Sequence, residues 1–311
     1  MELFLPIAHL DVNIVLILLY GALVGFLSGM VGVGGGFLIT PLLIFTGVPP
    51  IVAVSSGAAQ MAGTAAGASY LHWRGGNIDF KMGLMLLIGS WLGGGFGVYL
   101  AKLLLRAGQF GNVVAFLYVI LLGFVGMSML IESLHAVFRA GAPAASDAGV
   151  TAASKSLLRT WIERLPWQMA FPASAVRMSA LGPLALGAAV GILTSLMGVG
   201  GGFIMVPVMI YVLKIPIRVV VGTSLFQLLF TTAAVSVMQA GVNQSVDPFL
   251  ALVLILGSVL GTKLGVRLGA RLPAERLSLI LALVVVAVAV KMILTLVLAP
   301  SDVYAMTIAG H

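Results

Sequence analysis

Cysteine is absent from this 311-residue chain, which excludes disulfides, thiolate metal sites and cysteine nucleophiles. Charge is nearly as scarce: charged residues make up 8% of the chain and hydrophobic ones 61%, with only nine Asp and Glu in all. The four His (His9, His72, His135, His311) are scattered without ligand spacing, so no metal and no cofactor is implied. Basic residues outnumber acidic ones for a formal charge of +7. Such a surplus often marks a nucleic-acid binder, but here it flanks apolar segments, where it serves orientation, and nucleic acid is set aside as a partner. What remains is a lipid bilayer as solvent. A mean hydropathy of +1.19 defines an all-α polytopic membrane protein, and nothing in the sequence selects its oligomeric state. The N-terminus lacks a basic region and a small-residue cleavage site, so its first apolar segment reads as retained.

The chain is a duplication. The segment from Gly21 to Pro41 returns as Gly187 to Pro207, and both copies place Gly-Val-Gly-Gly-Gly-Phe inside an apolar stretch. Apolar segments run at roughly 12–30, 37–47, 51–71, 82–101 and 111–131, then 181–196, 203–213, 219–238, 248–270 and 277–298, and the two sets match in order. The expected division is therefore a transmembrane repeat over 1–131, a linker over 132–180 and a second repeat over 181–311. Each repeat holds a glycine-broken hairpin and three spanning helices. The stretch 12–47 would be about 54 Å long as one helix, against a hydrocarbon core of about 30 Å. The glycines must break it, into either a re-entrant hairpin or two thin spans, and both return the chain to the side it came from.

Each half then crosses an odd number of times, which inverts the second relative to the first. One side collects Arg74, Lys81, Arg139, Lys155, Arg159, Arg164, Arg177, Lys214, Arg218, Lys263, Arg267, Arg271 and Arg276; the other holds Lys102 and Arg106. The positive-inside rule makes the rich side cytoplasmic and puts both termini outside. A single crossing by 12–47 would instead make the halves parallel and the central loop external. Within that loop 141–149 reads as a flexible linker. Leu157, Leu158, Trp161, Ile162 and Leu165 form an apolar stripe over 154–165, with Lys155, Arg159 and Arg164 on the polar faces. This is an expected interfacial helix suited to an anionic cytoplasmic leaflet, the plainer alternative being a spacer.

A broken apolar segment repeated in two halves points to a transporter's binding site. Glycines permit positive φ, and the helix that restarts after them presents amides without intrahelical partners. Two such termini converging near the midplane form an anion site without a buried cation, and no charged residue lies between Val12 and Thr46 or between Leu181 and Leu213. The candidate ligands are Gly34, Gly35, Gly36 and Phe37 with Gly200, Gly201, Gly202 and Phe203. The sets Gly89, Gly93, Gly97 and Gly257, Gly261, Gly265 read as helix-packing faces. Alanine at Gly35 or Gly201 is therefore expected to harm transport more than alanine at Gly93 or Gly261, which would lose only close helix contact. After each hairpin the repeat aligns Ser56 with Thr223 and Gln60 with Gln227, one helical turn apart. These uncharged donors suit an anion that must also be released; the alternative is that they only bridge helices.

The doubled glycine-rich motif ending in Pro, each followed by a Ser/Thr-rich helix with Gln, resembles the sulfite exporter TauE/SafE family, also called the TSUP family of probable anion transporters. The resemblance covers nearly the whole chain. It implies a bacterial inner-membrane, multi-pass protein that moves sulfite, organosulfonates or related small anions, with the two glycine triplets, Ser56, Gln60, Thr223 and Gln227 around the substrate. Ser195 stands where the first copy has Gly29, which departs from strict symmetry.

Other classes fit less well. A Walker loop needs Lys-Ser/Thr after its last glycine, where Phe37 and Phe203 stand. A hydrolase built on Ser28 would need a base, and the nearest His of that half, His72, lies at a segment end. A cation channel should show acidic rings. A membrane scaffold without transport activity stays open, and reconstituted anion flux would separate it. Every acidic residue lies near a segment end or in a loop, so no proton relay is visible. Lys263 reads as snorkelling to the interface or, less simply, as a gate.

Overall fold

A computed structural model describes residues 2–8, 10–31, 36–138, 168–171, 174, 176–212, 215, 217–269 and 274–297. The interfacial helix expected at 154–165, the linker at 141–149, and Gly34 and Gly35 lie outside the described residues.

The element order repeats. A β-hairpin of β1 (Glu2–Leu5) and β2 (Leu10–Asn13) leads into α1 (Ile14–Val31), α2 (Gly36–Phe45), α3 (Pro50–Arg74), α4 (Phe80–Arg106) and α5 (Phe110–Phe138). A second hairpin, β3 (Gln168–Phe171) and β4 (Val176–Ser179), leads into α6 (Leu181–Met197), α7 (Gly202–Pro207), α8 (Ile217–Val242), α9 (Pro248–Gly269) and α10 (Ala274–Val297). Five of these helices are long and apolar enough to cross a membrane, within α4, α5, α8, α9 and α10. The apolar segments expected from sequence match these helices in order, with α5 running on to Phe138 and α7 stopping at Pro207.

The hairpins are what the sequence reading did not anticipate, and the second lies in the stretch expected as linker. Leu5 pairs with Leu10 and Phe171 with Val176, so the two have equal loops. Leu5, Val12, Phe171 and Met178 are buried against the helices.

Partners exchange between the halves. α1 packs along α9, while its counterpart α6 packs along α4; α3 packs on α8 and α5 on α10. Glycine sets the first two contacts. A Cβ at Gly93 would overlap the carbonyl oxygen of Ala188, and one at Gly261 that of Ala22. Backbone cannot rotate away, so a methyl must part the helices, the loss of close contact expected of packing glycines. Gly93→Ala and Gly261→Ala should each cost about 1–3 kcal/mol or more, read as a lowered melting temperature and lower yield of inserted protein.

The surface is apolar and the interior partly polar, the pattern required in lipid. Leu92, Phe96, Tyr99, Phe116, Phe124, Leu256 and Leu260 are exposed, whereas Ser56, Gln60, Thr223, Gln227 and Thr231 are buried. α3 falls below the apolarity of a typical span because Ser55, Ser56, Gly57, Gln60 and Ser69 are buried in the protein rather than set in lipid. Lys263 is exposed, as a snorkelling residue would be. Lys291 lies over the Phe45 ring near the far end of α10.

Candidate binding site at the glycine breaks

In the second half the helix break is fully drawn. α6 ends on Gly198 in the left-handed conformation (φ 70°), whose N–H reaches the Thr194 carbonyl. Gly200 (φ 68°) and Gly201 (φ 71°) keep that hand before α7 starts at Gly202. Three such residues require glycine, because a Cβ clashes with the next carbonyl in this region. α7 widens into a π-turn at Val208–Val212, directly after Pro207. A proline lacks the N–H and crowds the carbonyl a turn earlier, which loosens the ladder there. In the first half α2 begins at Gly36 and carries Pro41 at the matching position.

The two breaks approach one another across α3. A Cβ at Gly36 would overlap Met61 Sδ, and one at Gly200 would overlap both Met61 Cε and Leu228 Cδ1. Met61 and its counterpart Leu228 stand midway along α3 and α8, buried in one small apolar cluster with Ala65. They separate two half-sites.

The half-site beside Gly36 is a narrow cleft with room for about one water, lined by Ser28, Gly36, Gln60, Thr64, Ser258 and Thr262 among others. Gln60 is 3% exposed, and its Oε1 has no hydrogen-bond partner. Thr262 Oγ1 donates to the carbonyls of Ser258 and Gly25, and Thr64 Oγ1 reaches those of Gln60 and Met61. Among the described residues no cation lines this cleft.

The matched half-site is closed. Gln227 Nε2 donates to Ser90 Oγ (2.7 Å) and Thr231 Oγ1 (2.8 Å), while its Oε1 is buried without a partner. Ser90 and Thr231 are the counterparts of Ser258 and Thr64, so the same three side chains surround space in one half and bind each other in the other. Ser195, the symmetry-breaking residue, donates to the Gly94 and Gly191 carbonyls. Thr262 is the counterpart of Gly94, so a hydroxyl crosses each helix contact from opposite partners.

The remaining expected residues divide. Ser56 and Thr223 do not line the cleft: Ser56 Oγ accepts the Asp247 N–H and Thr223 Oγ1 accepts the Asp79 N–H, each at 3.0 Å. Phe37 is buried in the main apolar core with Leu38 and Ile39. Phe203 follows Gly202 in the first turn of α7, but its side chain lies outside what is described. Thr64, Ser90, Ser258 and Thr262 were missed. Carrying the repeat alignment one turn beyond Gln60 and into α4 would have found the first three. Tyr118 was missed as well: fully buried on α5, its hydroxyl donates to the Met197 carbonyl and pins the end of α6 beside the second break.

A duplicated helical membrane protein with broken helices meeting around buried uncharged polar groups is built as a transporter rather than as an enzyme. The chain matches the family described as Sulfite exporter TauE/SafE over residues 17–292, and it belongs to that family. It is 26% identical over 256 residues to the Probable membrane transporter protein YunE of Bacillus subtilis (strain 168), covering 79% of this chain and 85% of that one. It is 27% identical over 245 residues to YjnA of the same strain, a Probable membrane transporter protein (78% and 85% covered). A Probable membrane transporter protein of Xylella fastidiosa (strain 9a5c) is 28% identical over 239 residues (76% and 77%). No solved structure matches the chain.

Proposed function

We propose that this transporter exports small oxyanions such as sulfite or organosulfonates, binding them between the two glycine breaks near the midplane of a bacterial inner membrane. The observation that carries this reading is Gln60: an amide almost wholly buried, its oxygen unpartnered, beside the first amides of α2 and a hydroxyl-lined cleft. Its N–H₂ can donate to an oxyanion that also accepts from the α2 terminus, while its unpartnered oxygen, an acceptor, calls for a donor such as water or a hydroxyl carried by the ligand. Neutral donors bind an oxyanion while still letting it leave. Export needs no relay, since an anion leaving a negative interior gains about 2.3 kcal/mol per charge per 100 mV.

Flux in proteoliposomes against sulfite, sulfoacetate, thiosulfate, sulfate and chloride tests the proposal. Concentration-dependent flux of sulfite or sulfoacetate exceeding that of chloride is expected. Background flux for every anion would favour a scaffold without transport activity.

The proposal includes inverted repeats, with the central loop cytoplasmic and both termini periplasmic. The lopsided Lys and Arg count supports it, and the exchanged helix pairs fit the two-fold relation that inversion requires. Single cysteines at 155 and 309 are expected to differ in labelling by an impermeant reagent in intact cells, with 309 reactive and 155 protected. Equal labelling of both would reject the inversion.

A further inference from the structure

Asp79 and Asp247 stand at matched positions immediately before α4 and α9, and they are 2% and 0% exposed. Each is a three-way junction with the same layout. Asp79 Oδ1 accepts the Met82 N–H and caps α4 (3.1 Å). Its Oδ2 accepts the N–H (3.0 Å) and hydroxyl (2.6 Å) of Ser174 in the second hairpin, and its own N–H donates to Thr223 Oγ1 on α8. Asp247 Oδ1 accepts the Phe249 and Leu250 N–H groups and caps α9 (both 3.1 Å). Its Oδ2 accepts the Ile7 N–H in the first hairpin (3.3 Å), and its N–H donates to Ser56 Oγ on α3.

The connections run crosswise. Asp79 belongs to the first half yet holds the hairpin and the glutamine-bearing helix of the second, and Asp247 does the converse. A helix cap alone does not require this: Ser or Asn caps as well as Asp, and burying a carboxyl group is expensive. The second oxygen and the backbone amide are committed to the opposite half. Thr223 and Ser56 lie one turn before Gln227 and Gln60 on the same helical faces, so whatever moves the junction moves the glutamines.

We propose that Asp79 and Asp247 are positioning residues for transport, latches that hold the hairpins β3–β4 and β1–β2 shut over the two ends of the molecule and keep Gln227 and Gln60 in register while they do so. The link to transport rests on the glutamines' proposed role at the anion. Each hairpin reaches the bundle through its junction and one apolar face, Leu5, Ala8 and Val12 with Ile7 and Leu10 in one, Phe171 and Met178 with Met169 in the other.

Asparagine separates the latch from the cap. It keeps an oxygen for the helix end and an unchanged backbone N–H, but turns an N–H₂ toward the hairpin's donors. Two single-cysteine proteins report the ends: Ala8→Cys in the first hairpin's turn (6% exposed) and Met178→Cys in the second hairpin (3% exposed). Asp247→Asn is expected to raise the rate of thiol labelling at 8 by about tenfold or more, the scale of one lost hydrogen bond to a charged group, and to leave 178 unchanged. Asp79→Asn should do the reverse. Ser174→Ala, which leaves every helix cap intact, should raise labelling at 178 alone and by less. In the same proteoliposomes each Asn variant should change the maximal rate of sulfite flux more than its half-saturating concentration. Labelling that rises at both ends together, or at neither, in the Asn variants and in Ser174→Ala overturns the proposal. So does end-selective labelling with wild-type flux in every variant. The expected labelling pattern in a wild-type protein that passes no sulfite would keep the latches as lid closures and remove the transport reading instead.

Discussion

Gly201→Ala is expected to abolish anion flux in protein that still inserts and folds, whereas Gly93→Ala and Gly261→Ala are expected to lose folded protein first. The difference lies in what each new methyl meets. At Gly201 the backbone sits at φ +71°, a conformation costing an L-residue roughly 1–2 kcal/mol. The Cβ would also overlap Val190 Cγ1 on α6, a β-branched side chain with little rotamer freedom in a helix. The cheapest escape is to re-form the turn, which re-aims the amides that open α7. At Gly200 the obstacles are the flexible ends of Met61 and Leu228, so Gly200→Ala should be milder than Gly201→Ala though still strained at φ +68°. At Gly93 and Gly261 the obstacle is the facing backbone, and the injury is to helix pairing. Flux per folded protein and melting temperature, measured on all four, separate these cases. Adding Val190→Ala to Gly201→Ala relieves the overlap but not the strain, and should restore flux only in part. Normal flux in Gly201→Ala would mean that the second break is not part of the site.

How far the sequence carried this picture follows from the range of the forces involved. Helix positions were legible because apolar runs long enough to span lipid have few alternatives: the run read as 82–101 is Phe80–Arg106, lengthened where Asp79 caps one end and polar Arg106 closes the other. The positive φ of Gly198, Gly200 and Gly201 was foreseeable, since consecutive glycines after a helix serve little else. The hairpins were not legible, because four-residue strands interrupted by Pro6 carry too short an alternation to stand out. Asp79 and Asp247 read as ordinary segment ends, and it is the opposite half of the chain that buries them. The same long-range packing makes Ser56 and Thr223, expected beside the anion, acceptors for aspartate amides. The asymmetry between the half-sites is a property of the folded state and has no local signal: the residues at the matched positions Gln60 and Gln227 are identical.

That asymmetry sets the last expectation, which concerns the two glutamines. Both substitutions to alanine should weaken transport, but in different parameters. Gln60 lines the cleft, where its N–H₂ is the group that can donate to the proposed anion, so its loss removes a direct donor. One hydrogen bond to a charged partner is worth about 1.5–3 kcal/mol, so Gln60→Ala should raise the half-saturating concentration roughly tenfold or more. Gln227 is engaged with Ser90 and Thr231, and its loss leaves the closed half-site without its bridge. If the halves exchange roles during a cycle, Gln60 takes up Ser258 and Thr64 as Gln227 releases Ser90 and Thr231, and both glutamines are needed for turnover. Gln227→Ala should then lower the maximal rate more than it changes half-saturation. Ser90→Ala, which removes only a partner of the bridge, should shift rate in the same direction with a smaller amplitude. Initial rates of sulfite or sulfoacetate flux across a concentration series, on variants matched for insertion, give both parameters. Identical effects of Gln60→Ala and Gln227→Ala would reject the open and closed assignment, and unchanged flux in both would return the two residues to holding helices together.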